Sequence, residues 1–417
     1  MRPAWFLIAG LSLWVGTVGV AAQRADAFLL SRDHPAIKYS TSAATDPIAA
    51  LNAKLDSGQV RLTFDPVSGY LRSVLAALNI SPTSQLLVHS PTSAQADRIS
   101  FLKPRALYFN DTAAVGWVKG TEVLEVVGQD PRLGSVFYTL PQTASGRPRF
   151  ARDNSCLECH LTWDTLAVPA PTATSMYPLR DEKAYANGFT TEQRSPMNER
   201  WGGWFVTGRH GGAKHMGNLP VQPADKGKSK ITTPTAPLDS VTGLIDLAGF
   251  PTPYSDVVAL LVFNHQTLMH SYITRIGWEA RVAEQQRENL PRIRQAAADL
   301  VDYMLFIDEA PLAGRVQGTS GFAEQFARLG PRDSKGRSLR DFDLVTRTFK
   351  YPCSYLIYSE PFNALPLAAK NAVYDRLGDI LTGRVTDAKY ARVSAADRQA
   401  ILEILRETKR DLPPSMR

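Results

Sequence analysis

Cysteine is nearly missing from this chain, with three residues among 417, at positions 156, 159 and 353. So few thiols exclude a disulfide-stapled scaffold, and a chain this long can bury a hydrophobic core without one. Long apolar runs are missing after the first twenty residues, so no later segment approaches the length of a membrane span. Low-complexity tracts, heptads and internal repeats are lacking too, which excludes a solenoid or a coiled coil. No phosphate loop, Ser-His-Asp spacing or carboxylate pair rises above background. Charge of one sign is only mildly in excess, at a formal +7, and the basic residues do not alternate with aromatic stacking positions. Nucleic-acid binding is therefore not expected, whereas the surplus favours docking to an acidic partner protein.

What is present begins at the N-terminus. Arg2 precedes an apolar stretch from Ala4 to Val20 without a charge, and small residues follow at Ala21-Ala22 and Ala25-Asp26-Ala27. This pattern predicts a secretory signal peptide over residues 1–27 and a mature chain in the periplasm without a membrane span. No cysteine follows the apolar run to accept a lipid.

Two of the three cysteines then fall in Cys156-Leu157-Glu158-Cys159-His160. The spacing puts both thiols about one helical turn apart, on one side of a short segment. An imidazole follows at once, and this is the arrangement that covalent attachment of haem c requires. A zinc site would need two more ligands at recognisable spacing, and Cys353 has no neighbouring histidine. A dithiol redox pair would be expected beside a βαβ pattern, but the preceding segment, residues 146–155, is polar, basic and loop-like. One haem c per chain is expected, with Cys156 and Cys159 as the thioether sulfurs and His160 as the proximal iron ligand. Cys353, in Tyr351-Pro352-Cys353-Ser354-Tyr355, reads as a buried, inert thiol.

The sixth iron position is open to several residues. Trp204-Phe205-Val206-Thr207 reads as a short strand entering a glycine-rich turn, and His215-Met216 follows it with an imidazole and a thioether. His215 is the first candidate and Met216 the second; Met176, Met197, His210, His265 and an open site are the others. His265 and His270 lie in an apolar helical pattern and read better as core or surface histidines. Trp163, Trp201 and Trp204 are candidates for packing on a porphyrin, and Arg200 and Arg209 for pairing with its propionates.

The expected fold class is α+β. Residues 28–150 form a β-rich region with a small antiparallel sheet, from runs at Val60–Phe64, Ala106–Phe109, Ala114–Val118, Val123–Val127 and Ser135–Leu140, and one helix over Tyr70–Leu78. Residues 151–250 are proline-rich and loop-like, a haem-binding region. Residues 251–417 are mainly helical, with helices after Asp256, over Pro291–Ile307, over Leu367–Leu381 before Gly383, and from Ala395 to about Arg406.

The haem motif together with the signal peptide resembles c-type cytochromes, which implies a covalent haem with His160 as proximal ligand and an electron-transfer role. Combined with Trp201-Gly202-Gly203-Trp204-Phe205-Val206-Thr207-Gly208 and His215-Met216-Gly217-Asn218, it looks like a group of large secreted monohaem cytochrome c-like proteins that carries no known activity. The N-terminal sheet and the helical tail have no place in the compact domain of small cytochromes. The sequence thus leads us to expect a periplasmic electron carrier between redox partner proteins. The alternative is a haem enzyme of peroxidase type, with Arg209 and His210 at a displaceable distal site.

Overall fold

The computed structural model describes residues 32–144, 146–177, 179–180, 188–220, 222–223, 236–287 and 291–416. The expected signal peptide lies outside them. The chain is α+β, with a six-stranded sheet in its N-terminal half and most of its helices in the C-terminal half. Six strands form an antiparallel meander in sequence order: β1 (Leu86–Val88), β2 (Arg105–Phe109), β3 (Ala113–Trp117), β4 (Val123–Asp130), β5 (Gly134–Pro141) and β6 (Ala151–Arg152).

Register decides which side chains share a face. Leu107 pairs with Gly116, Gly116 with Glu125, Glu125 with Thr139, and Thr139 with Ala151, so these five project to the same side. Arg105, Phe109, Val127 and Phe137, each two residues along, join them. The opposite face carries Tyr108, Val115, Val126 and Tyr138, and it packs on helices α1 (Pro47–Asp56) and α2 (Leu71–Ala77). There the Tyr138 hydroxyl donates to Asp46, the residue that caps α1, at 2.6 Å.

After the four-residue α3 (Leu157–His160), α4 (Val257–Gln286) runs past the end of the sheet that carries the β2–β3 and β4–β5 turns, bonding the carbonyls of Asn110 and Arg132. At about 1.5 Å per residue it is roughly 45 Å long. Every residue from Val257 to Thr274 is buried; among its polar side chains, Asn264, His265 and Gln266 find hydrogen-bond partners in Trp201, Gln193 and Tyr355. Phe263 meets Phe109 of the sheet, ring centres 5.1 Å apart. The β4–β5 turn approaches α4 so closely that a side chain at Gly134, whose φ is +83°, would collide with Thr274. Helices α5 (Pro291–Met304), α6 (Leu367–Leu381) and α7 (Ala395–Thr408) complete a second apolar cluster around α4. Among the described residues no helix is long and apolar enough to cross a membrane.

The helix boundaries follow local chemistry. Asp256 caps α4, accepting from the amides of Val258 and Ala259 at 2.8 and 3.2 Å. Gly383, at φ +77°, follows α6, and a Ser394–Asp397 capping box opens α7. Val60–Phe64, expected as a strand, forms no ladder among the described residues; Val60, Leu62 and Phe64 pack on the core, and the segment closes at a bridge between Asp65 and Gly69. Its alternation reflects one-sided burial rather than a ladder. Strands β1 and β6 and helix α1 were not expected; the two strands are too short to show a period.

Candidate functional site

The Cys-x-x-Cys-His segment starts where edge strand β6 ends. The Asp153 carboxylate accepts from the Ser155 amide and hydroxyl at 2.9 and 2.6 Å, opening a tight turn over Asn154–Cys156 that runs on into α3. Leu157 and Leu161 anchor that turn in the cluster formed with the sheet. Cys156 is left half-buried and Cys159 exposed. Both thiols therefore sit on one helical turn at the molecular surface, with the histidine directly after them.

His160 is held from two directions. Its ring stacks on Phe137, centres 4.7 Å apart and planes at 26°. Its Nδ1 lies 3.0 Å from the carbonyl oxygen of Ala170, which can only accept, so Nδ1 carries the proton and Nε2 keeps its lone pair. A histidine that binds a metal through Nε2 needs this tautomer, usually set by a backbone carbonyl or a carboxylate. Burial pushes the His160 pKa down to about 4, so the ring is neutral at pH 7, as a ligand must be. The Cys156 thiol is pushed up to about 11 by burial and by the carboxylates of Asp153 and Glu125. A thiol so weakly acidic is a poor dithiol-exchange nucleophile.

The sheet face beside this histidine carries an ion pair that is not legible as a site in the sequence. Glu125 on β4 and Arg105 on β2 reach across β3 at Gly116, and the Arg105 Nη1 meets Glu125 Oε2 at 2.9 Å. A β-carbon at Gly116 would come within 3.3 Å of that carboxylate. The Ser93 hydroxyl donates to Glu125 Oε1 at 2.9 Å. Arg105 Nε is buried and has no partner among the described residues, a state that costs about 1–3 kcal/mol. The available signal was a single acidic residue inside Val123-Leu124-Glu125-Val126-Val127, opposite a glycine of the neighbouring strand.

The segment proposed for the distal side is divided between the two clusters. Met197, Trp201, Trp204 and Ala213 belong to the helical cluster, whereas Phe205 belongs with Leu157 and Leu161 to that of the sheet. Trp201 Nε1 donates to Asn264 at 2.8 Å, and Trp204 Nε1 to the Thr174 carbonyl at 2.7 Å. His215 is 1% exposed, against Trp201 and His210. Its Nδ1 accepts from the Gly217 amide at 3.1 Å, which leaves the proton on Nε2, the opposite tautomer from that of His160. Met216 is buried beside it, its amide donating to the Arg200 carbonyl at 3.0 Å. Met176 is buried as well, its amide bonded to the Gly202 carbonyl at 2.9 Å.

The other candidates divide clearly. Arg200 is buried and spends its guanidinium on the carbonyls of Ser195 and Gln193, at 2.8 and 2.7 Å. Arg209 and His210 are successive residues of a strand, one exposed and one buried, so their side chains leave on opposite sides. His210 has no partner on either nitrogen among the described residues. His265 is saturated, with Nδ1 2.5 Å from Gln193 and Nε2 2.7 Å from the Ser354 hydroxyl. Cys353 is fully buried, and burial pushes its pKa up to about 12. Trp163, three residues past His160, is 71% exposed. Among the described residues no group of three or more His, Cys, Asp or Glu side chains is placed to hold a metal ion.

The donor set fits a covalently held haem: two thiols on one turn, a neutral imidazole with a free Nε2, apolar walls from Phe137, Leu157 and Leu161, and an unsatisfied guanidinium donor on the adjoining sheet. In comparisons with known proteins, no family model matches the chain, and no curated protein or solved structure is significantly similar to it.

Proposed function

We propose that this chain is a secreted monohaem c-type cytochrome that passes single electrons between redox partner proteins. The observation that carries the reading is the pairing of His160 Nδ1 with the Ala170 carbonyl, which presents a neutral imidazole through Nε2 one residue after the second thiol. Haem c, when bound, supplies the one-electron Fe(III)/Fe(II) couple. Cys156 and Cys159 form its two thioether links. His160 supplies the proximal nitrogen, and Phe137 keeps that ring from rotating. The exposed Cys159 and Trp163 leave this edge of the molecule open to a docking partner, and the formal charge of +7 favours an acidic one.

For the distal side, the His215 tautomer speaks against that residue and leaves Met216 as the better of the two candidates there. The peroxidase-type reading loses support because Arg209 and His210 project to opposite sides of their strand. The test is a pyridine haemochrome assay with oxidised and reduced spectra of the chain produced alongside a haem c maturation system. Covalent low-spin haem with the far-red band of methionine ligation is expected. Absence of covalent haem overturns the proposal, and a high-spin ferric spectrum transfers it to peroxide or ligand chemistry.

A further inference from the structure

We infer that Arg105 and Glu125 form the electrostatic floor of the haem site, with the Arg105 guanidinium taking a haem propionate while Glu125 holds that guanidinium in place. The inference rests on the monohaem reading above. Three observations lead to it.

The first is position. Arg105, Gly116, Glu125 and Phe137 project from one face of the sheet, and the proximal histidine stacks on the last of them. Phe137 lies two residues from Thr139, the direct partner of Glu125, and is therefore a diagonal neighbour of the carboxylate across a single strand spacing.

The second is construction. A carboxylate on β4 and a guanidinium on β2 can meet only if β3 offers no side chain between them, and Gly116 is the residue there. Ser93 fixes the second carboxylate oxygen. The pair is thus held from outside, as a binding group has to be if it is to act without reorganising.

The third is an unmet need. Arg105 uses Nη1 on Glu125, while Nε is buried and unpaired among the described residues. Its side chain is 18% exposed, so it is not sealed off from solvent. A second carboxylate on that fork would satisfy the orphan donor, and guanidinium geometry suits two carboxylates at once. The anion that the monohaem reading brings to this face is a propionate. Arg200, a buried arginine that the sequence offered for that role, is consumed by backbone carbonyls.

A positive group held beside an oxidised haem favours the reduced state, and a negative one the oxidised state. The experiment is spectroelectrochemical titration of the full haem-loaded chain, with haem content measured for each variant by pyridine haemochrome. Arg105→Gln is expected to lower the midpoint potential and Glu125→Gln to raise it. Arg149→Gln, which breaks the exposed pair with Asp56, is expected to leave it unchanged. Arg105→Lys keeps the charge but loses the fork, and is expected to fall between wild type and Arg105→Gln; it serves also where Arg105→Gln does not fold. Covalent haem with potentials unmoved in the Arg105 and Glu125 variants overturns the inference and leaves the monohaem reading standing. Wild-type protein without covalent haem overturns both.

Discussion

His160 and Ala170 hold each other by two hydrogen bonds of 3.0 Å: the Ala170 amide donates to the His160 carbonyl, and the His160 Nδ1 donates to the Ala170 carbonyl. The backbone of one residue thereby sets both the place and the tautomer of the other's ring. Removing the ring should separate attachment from ligation. His160→Ala is expected to keep haem on its two thioethers, seen by haem staining after denaturing electrophoresis, and to replace the low-spin ferric spectrum by a high-spin one. Cys156→Ser and Cys159→Ser should instead reduce the stained haem itself.

Phe137 is buried under that ring, and its loss opens a cavity in the sheet cluster. Phe137→Ala should cost about 3–5 kcal/mol in urea unfolding of the chain without haem. Trp163→Ala, at the exposed tryptophan, should cost less than about 0.5 kcal/mol. Equal losses at the two sites would show that the stack is not part of the folded core.

Asp256 accepts five hydrogen bonds. Two come from the first turn of α4, and three from the Thr319 amide and the Ser320 amide and hydroxyl, at 2.7, 2.8 and 2.9 Å. One carboxylate both starts the central helix and fastens residues 319–320 to it. Asp256→Ala should therefore cost at least about 3 kcal/mol, more than a cap alone. Asp256→Asn should recover only the capping share, about 1 kcal/mol, because its amide would face the Thr319 and Ser320 donors. Full recovery in the asparagine variant would contradict this account.

Three histidines distant from the haem motif are buried and neutral. Burial pushes His89 and His270 down to about 4 and His265 to about 3. Since the folded chain binds these protons more weakly than the unfolded chain, whose histidines titrate near 6.5, stability is fully present above that pH. It is lost progressively as the pH falls towards 4. A tenfold change in proton affinity is worth about 1.4 kcal/mol. Urea midpoints should fall between pH 6.5 and 4 at constant ionic strength, and His89→Phe should flatten that limb. A midpoint independent of pH in this window would refute the prediction.

Cys353 is fully buried and its thiol is pushed up to about 12. In haem-loaded protein it is the remaining thiol, and a maleimide should label it in urea but not in native buffer. Rapid labelling of the native protein would place the thiol at the surface.

Much of the organisation is legible from local patterns. The limits of α6, Leu367–Leu381, are readable because Pro366 precedes the helix and Gly383 can take the left-handed backbone that follows it. Asp256 announces α4 for the same reason: a cap bonds to amides two and three residues away. The central strands show their period, and Cys156, Cys159 and His160 are recognisable because thiol spacing along one turn is a property of adjacent residues.

Local chemistry along the chain thus sets the contacts made within a few residues: caps, turns, strand period and the two thiols beside a histidine. Packing between distant segments is what places Gly116 of β3 between Arg105 and Glu125, lays Phe137 rather than a tryptophan against His160, and lets Gly217 dictate the His215 tautomer. It also leaves Val60–Phe64 without a ladder among the described residues. Strand register, ring stacking and hydrogen-bond tautomers depend on partners tens of residues away, or on a turn whose shape the packing imposes, and no local period encodes them.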